Sequence, residues 1–311
     1  MSDSVSKKRK EASRVTKEEW REYTKTVWQI ANVSHKEHPA VFPVEIPRRL
    51  IKLFSFVGES VLDPFAGTGT TAQAAIPLGR KAICLEQNPK YVRIIQKECA
   101  GLGQGDVDQV LTAMEADSRN MDRVDSESVE LIVTSPPYWN KADYGKGKAN
   151  LGAIAGYRDF LHEIAPVFAE CFRVLAPGRK LCLVTANVNQ HTDHGLLTFP
   201  LAADFNNVLR DAGFVMTTEI IWSKDGTGGR LGSANNQRPI FGSYPYPPNF
   251  LFKNVHEYIL VFSKPPKARS RGPKVLPYEG LMNRTSAGAQ ETRPRRHTGR
   301  QGGGRPAGRS Q

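Results

Sequence analysis

VLDPFAGTGTTAQAA, residues 61–75, reads as an apolar strand that ends at Asp63, a loop carrying Gly67 and Gly69, and a helix opened by Thr70 and Thr71. Glycine lets a backbone approach a ligand closely and adopt conformations closed to other residues. A single Gly-x-Gly is a modest signal, because any tight strand-to-helix turn uses it. The loop is not GxxxxGK[ST], and the missing lysine argues against a nucleotide triphosphatase. It is not GxGxxG either, which makes a nicotinamide cofactor a poorer fit.

On both sides of this stretch, short apolar runs alternate with amphipathic ones. Strands are expected at 60–65, 81–86, 109–117, 129–135, 180–187, 217–224 and 256–264. Helices are expected at 44–55, 70–78, 89–102, 157–175 and 199–212. This is the spacing of βαβ units, so the fold class is α/β, with a mainly parallel sheet and helices on both faces. No clear helix separates the last two strands, so they are expected to pair antiparallel. Such a sheet binds ligands beyond the C-terminal ends of its strands.

Functional residues should therefore sit where strands stop. Glu86 ends the strand KAICLE, 23 residues after Asp63, near the spacing at which an acid accepts hydrogen bonds from ribose hydroxyls. Asn88 is the better cap for the helix that follows, which leaves Glu86 for a ligand. Asp117, in EADSRN, ends the next strand and either caps a turn or contacts an adenine amino group. VELIVTSPPYWN, residues 129–140, runs from a strand straight into Ser135, Pro136, Pro137 and Tyr138. Two prolines fix φ and remove two backbone donors while their carbonyls remain acceptors. The result is a rigid acceptor cluster with a hydroxyl and a flat aromatic face. Pro-Pro also simply ends strands, but here it occurs together with the cofactor-type loop.

These residues together resemble the amino-methylating DNA methyltransferases, of the cytosine-N4 and adenine-N6 family. DPFAGTGT is similar to that family's cofactor loop and TSPPY to its catalytic loop. HPAVFPVEIPRRLI, 38–51, resembles the segment before the cofactor loop, and 151–184 the stretch after the catalytic loop. IIWSK at 220–224 and HEYILVFSK at 256–264 resemble the closing strands. The resemblance covers roughly 28–264. It implies a Rossmann-like methyltransferase fold with a mostly parallel seven-stranded sheet and an antiparallel final strand. It implies S-adenosyl-L-methionine as cofactor, bordered by Phe42, Pro43, Asp63, Pro64, Phe65, Ala66, Gly67, Thr68, Gly69, Thr70, Glu86, Asp117, Ser118 and Thr134. The catalytic set it implies is Ser135, Pro136, Pro137 and Tyr138. The Pro136 carbonyl and the Ser135 hydroxyl would accept the amino hydrogens while Tyr138 stacks on the base. Family members with Ser in this loop mostly methylate cytosine N4 and those with Asp mostly adenine N6, so Ser135 favours cytosine.

Two departures from the pattern matter. The motif wording resembles the group in which the catalytic loop comes first along the chain, whereas here the cofactor loop does. That group places a large target-recognition region between the two blocks, and residues 87–128 are too few to hold one. Residues 226–255, with Asn, Gln, Arg and Tyr side chains suited to base edges, are the first candidate for sequence reading. Residues 141–152 are the second.

The 311 residues carry a net charge of +12. Residues 1–10 contribute +3, and 265–311 contribute +9 through eleven Lys or Arg against Glu279 and Glu291. The body is therefore neutral; the two basic tails suit a polyanion such as nucleic acid or serve as solubilising extensions, and the resemblance implies double-stranded DNA as partner. Three parts are expected: a flexible basic N-terminus at 1–15, a catalytic domain at 16–264 and a disordered basic tail at 265–311. Cys84, Cys99, Cys171 and Cys182 form no CxxC pair, so neither a zinc ribbon nor any other metal site is expected. No run of 18 apolar residues would span a membrane, and MSDSVSKKRKE lacks the apolar segment of a secretory signal. A cytoplasmic protein is expected, with a cognate restriction endonuclease as partner if the chain serves a restriction-modification system. The rival readings are a catalytically dead DNA-binding protein, a small-molecule methyltransferase and an RNA substrate.

Overall fold

The computed structural model describes residues 6–33, 41–103, 107–139, 150–224, 243, 245–248, 252 and 254–267. By its internal contacts the chain divides into Met1–Val275 and Leu276–Gln311, and all described residues belong to the first unit. The strands are β1 Val27–Gln29, β2 Ser60–Asp63, β3 Lys81–Glu86, β4 Leu111–Glu115, β5 Val129–Thr134, β6 Leu175–Thr185, β7 Val188–Thr192, β8 Gly195–Phe199, β9 Val215–Ser223 and β10 His256–Ser263. The helices are α1 Lys7–Ala12, α2 Lys17–Tyr23, α3 Glu45–Phe54, α4 Thr70–Ala75, α5 Pro89–Cys99, α6 Tyr157–Val174 and α7 Leu201–Asp211.

Among the described residues the main sheet has eight strands, in the order β1-β9-β10-β6-β5-β2-β3-β4. β2, β3, β4, β5 and β6 pair in parallel, and β10 lies antiparallel between β6 and β9. The expected α/β class and the antiparallel last strand are both present. After β4 the chain returns to the other side of β2 and forms β5. The point where the strand order reverses therefore lies between β2 and β5, and an open α/β sheet presents its ligand crevice there. Both sequence motifs begin at the C-terminal ends of these two strands.

Strands at the centre are buried on both faces, as parallel strands under helices must be. Val61 faces one apolar cluster with Leu131, Val133, Ile46 and Leu50. Its neighbour Leu62 faces the other, with Ile132, Phe160, Ile164 and Phe205. α3, α4 and α5 cover the first face, and α6 and α7 the second.

Three features differ from the sequence expectations. The sheet has an eighth strand, because β1 adds in parallel to β9 through Val27↔Ile221, Trp28↔Trp222 and Gln29↔Ser223. Three residues carry too little periodicity to signal a strand, and burial of Trp28 anchors this one. A separate antiparallel pair, β7–β8, follows β6 where no strand was expected. Its turn runs through Asp193 and His194 to Gly195, whose φ of 92° is the left-handed conformation that favours glycine. Asp-His-Gly before the short apolar run Leu196-Leu197 was the available signal. Finally, the sequence reading placed no helix before residue 44, whereas Lys7–Ala12 form α1 and this segment bonds to the turn before β2. Arg9 Nε donates to the Val57 carbonyl at 2.9 Å, and the Val57 amide donates to Ser13 Oγ at 2.8 Å. Most of the expected tail, from residue 268 on, and most of the 226–255 segment lie outside the described residues.

Candidate active site

The loop between β2 and α4 is folded by Asp63, which is almost wholly buried. Its Oδ1 accepts from the Phe65 amide at 3.0 Å and from Thr134 Oγ1 at 2.7 Å. Its Oδ2 accepts from Thr71 Oγ1 at 2.7 Å. One carboxylate thus ties the end of β2 to the end of β5 and to α4. Burial pushes its pKa up to about 6, although the bonds from Thr71, Thr134 and the Phe65 amide pull the other way.

Gly67 lies at a φ of 53° and Gly69 at 90°, so the chain turns twice in the left-handed region before α4. The Gly67 amide donates to Glu86 Oε2 at 2.9 Å, and the Asn88 amide to Glu86 Oε1 at 2.8 Å. Asn88 caps α5 through the Lys90 amide, as its position suggested. Glu86 is driven above the usual carboxylate range by burial, against the bonds from the Asn88 and Gly67 amides. A carboxylate offers about four lone-pair sites, so acceptor capacity remains for a ligand's hydroxyls.

Asp117 and Ser118 follow β4. Burial raises the Asp117 pKa, but hydrogen bonds from Arg119 outweigh it and hold the group below its ordinary value. Arg119 Nη2 lies 2.7 Å from Asp117 Oδ2, and Arg119 also pairs with Glu163. Ser118 Oγ donates to the Pro64 carbonyl at 2.5 Å and so fastens the end of β4 to the cofactor-type loop.

The segment after β5 is fixed from both sides. Tyr138 Oη donates to Glu257 Oε2 at 2.8 Å, and Glu257 pairs with Lys224. Trp139 Nε1 donates to the Ile154 carbonyl at 3.0 Å, and its ring lies 4.6 Å from that of Phe199 and 5.0 Å from that of Tyr157. β8, absent from the sequence reading, thus supports the catalytic-type loop through Phe199.

These loops open on one cavity of about 280 Å³. It is lined by Phe42, Pro64, Phe65, Ala66, Gly67, Thr68, Thr70, Glu86, Asp117, Ser118, Ser135, Pro136, Pro137 and Tyr138. Asp63 and Thr134 lie behind the wall as its internal brace. Gly69 faces Ile95, which a Cβ would meet at 3.1 Å. Pro43 starts the turn into α3, where its carbonyl accepts from the Ile46 amide at 3.0 Å. Other lining residues were not singled out from the sequence, among them Asn32, Tyr91, Asn150, Trp222, Lys224 and Glu257. Lys224 and Glu257 carried a usable signal: each is a charged residue at the end of an apolar strand.

The cavity suits S-adenosyl-L-methionine on its own chemistry. Glu86 presents acceptors for ribose hydroxyls, the Gly67 backbone permits close approach, and Phe42, Phe65 and Tyr91 give apolar walls. Among the described residues there is no cluster of His, Cys, Asp or Glu that would hold a metal, and the four cysteines are free and buried. No helix among them is long and apolar enough to cross a membrane. Gly67→Val should weaken S-adenosyl-L-methionine binding at least about tenfold, because a β-branched residue at a φ of 53° is strained and the strain falls on a loop that lines the cavity. Calorimetry on the folded variant checks this, and unchanged affinity would remove the loop from the site.

Comparison with known proteins agrees with this geometry. The model of a DNA methylase family, the N6/N4 type, matches residues 2–97 and 129–301. The Type II methyltransferase M.MjaI of Methanocaldococcus jannaschii is 44% identical over 93 residues, covering 28% of this chain and 30% of its own length. The Type II methyltransferase M.XycI of Xanthomonas campestris pv. cyanopsidis is 27% identical over 204 residues, covering 55% of this chain and 61% of its own. The DNA adenine methyltransferase YhdJ of Escherichia coli is 38% identical over 73 residues, covering 22% of this chain and 25% of its own. The chain therefore spans less than two thirds of each of these relatives. The family model covers both motif-bearing segments and most of the chain, and on that match the chain belongs to the N6/N4 DNA methylase family.

Proposed function

We propose that the chain transfers a methyl group from S-adenosyl-L-methionine to the exocyclic N4 of cytosine in double-stranded DNA. The proposed setting is a restriction-modification or related DNA-modification system, with a cognate restriction endonuclease as partner in the first case. The observation that carries the reading is the single cavity shared by the Asp63–Thr70 loop and the Ser135–Tyr138 loop. Bound S-adenosyl-L-methionine supplies an electrophilic methyl group on a sulfonium.

The chain's own residues supply orientation. The amino nitrogen of a base is a poor nucleophile because its lone pair is delocalised into the ring. The Pro136 carbonyl and Ser135 Oγ accept its hydrogens and turn the lone pair toward the methyl carbon. The nitrogen forms the new C–N bond, the C–S bonding pair stays on sulfur, and one amino hydrogen leaves as a proton to solvent. Orientation of this kind contributes several kcal/mol, out of a range of about 7–11. A base inside a duplex does not reach such a pocket, so the target nucleotide flips out and stacks on Tyr138. None of the cysteines is needed as a nucleophile: Cys84, Cys171 and Cys182 are fully buried with thiols raised by desolvation.

Ser135 supports cytosine. The likeness to YhdJ supports adenine N6 as the second reading. Transfer of labelled methyl to unmethylated DNA, followed by digestion and identification of the modified base, decides between them. Label in neither base would defeat both.

The basic segment 276–311 holds seven arginines against two glutamates. Phosphate contacts add affinity without base information. Its removal should weaken DNA binding at low salt and flatten the dependence of log affinity on log salt by up to about 0.9 per lost contact. The methylated positions and the turnover at saturating DNA should not change. Binding at several salt concentrations checks it: an unchanged slope or an altered target sequence would contradict the expectation.

A further inference from the structure

Side chains from the catalytic-type loop, β10 and the end of β9 form one continuous hydrogen-bond chain at the rim of the cavity. Ser135 Oγ donates to Tyr138 Oη at 3.4 Å, and Tyr138 Oη donates to Glu257 Oε2 at 2.8 Å. Glu257 Oε1 is paired with Lys224 Nζ, and both side chains are largely buried, at 15% and 6% exposed. Lys224 is itself held: its ammonium lies 4.4 Å from the centre of the Trp222 ring, and its amide donates to the Val255 carbonyl at 2.8 Å.

The direction of this chain follows from its last member. A carboxylate paired with an ammonium only accepts. Tyr138 therefore commits its single hydroxyl proton to Glu257. The phenol oxygen is then left as an acceptor, which draws the Ser135 proton toward it. Ser135 Oγ is left with lone pairs and no proton to offer the cavity. An amino group, which brings two hydrogens, needs such a partner.

We propose that Glu257, fixed by Lys224, is a positioning residue that sets the polarity of the Ser135–Tyr138 pair. Through it, Ser135 meets the target amino group as an acceptor, and the Tyr138 ring is held at its hydroxyl end. The inference rests on the amino-methylation reading above and requires no contact between Glu257 and the base. The competing account is a buried ion pair that merely joins the neighbouring ends of β9 and β10. That account predicts a change in stability with no coupling between Glu257 and turnover.

The test is a pair of double-mutant cycles, which isolate an interaction from the separate effects of its members. Methyl transfer is measured at saturating S-adenosyl-L-methionine and saturating duplex DNA for Glu257→Gln, Tyr138→Phe, Ser135→Ala, and the two doubles that contain Tyr138→Phe. Each single change should lower kcat by about three- to tenfold, the scale of one hydrogen bond. Cofactor affinity by calorimetry should not change. Each double should be no more than about twofold slower than its slower single. Effects that multiply, a Glu257→Gln variant at wild-type kcat, or losses confined to KM would overturn the proposal. Should Glu257→Gln fail to fold with Lys224 left unpaired, the Ser135→Ala and Tyr138→Phe cycle decides, because both changes leave Glu257 and Lys224 themselves in place. A wild-type protein that transfers no methyl to DNA would overturn the functional reading and this proposal with it. Transfer by the wild type with multiplicative cycles would overturn the polarity proposal alone.

Discussion

Tyr138→Ala is expected to methylate duplex DNA about 10- to 100-fold more slowly than the wild type, with its affinity for S-adenosyl-L-methionine within about twofold, since stacking of one base on an aromatic ring is worth about 1–3 kcal/mol. The ring lines the same cavity as the cofactor-type loop, yet its polar contacts run the other way, to Ser135 and Glu257. Its removal leaves the Gly67–Glu86 and Asp63–Thr134 bonds in place, so the cofactor side of the site is undisturbed. The comparison with Tyr138→Phe separates two contributions. Phenylalanine keeps the stacking face and loses only the hydroxyl link, so it should fall between the wild type and the alanine variant. Turnover and calorimetric affinity on the same preparations check both. A Tyr138→Ala enzyme at the wild-type rate would mean that the ring does not hold the base.

The sequence made the βα skeleton legible because each central strand is a short apolar run with a sharp polar end. Asp63, Glu86 and Ser135 are all such ends, and all three sit at the C-terminal edge of the sheet around its switch point. What it could not show was how far a residue's influence is local. Asp63 ends the strand nearest the cofactor-type loop, and a role in contact with a ligand followed naturally. In the fold its two oxygens are occupied by Phe65, Thr71 and Thr134, so it acts by holding the wall and does not line the cavity. Thr134 is 71 residues away in sequence from Asp63, and no local pattern predicts that bond. Asp117 shows the same limit, since Arg119, which holds it, also pairs with Glu163 on α6, 44 residues further along the chain. Glu257 and Lys224 lie 119 and 86 residues beyond Tyr138. Both were in segments recognised as closing strands, but their convergence on the catalytic-type loop depends on β10 inserting antiparallel beside β9.

Asp63 yields the second large effect, one that does not depend on substrate. Asp63→Ala strips the acceptor from two buried hydroxyls and the half-buried Phe65 amide, and a buried donor left unsatisfied costs about 1–3 kcal/mol. The variant should lose roughly 3–5 kcal/mol of stability, and the slackened loop should bind S-adenosyl-L-methionine poorly. Asp63→Asn is the finer probe, because it resembles the protonated acid. Burial raises the folded-state pKa to about 6, above the ordinary value of 3.8, despite the three donors. The folded state therefore holds this proton more tightly than the unfolded state does. The contribution of Asp63 to stability is fully present below pH 4, declines as pH rises between about 4 and 6, and is level above that. This is the reverse of a salt-bridged carboxylate, whose contribution fails in acid. The asparagine of the Asp63→Asn variant does not titrate, so the stability of that variant relative to the wild type should improve by roughly 1–3 kcal/mol between pH 4 and pH 6.5. Urea unfolding of both proteins across that range measures the difference directly. A constant difference would mean that the three donors hold Asp63 near its ordinary pKa, and a change of opposite sign would mean that they outweigh burial.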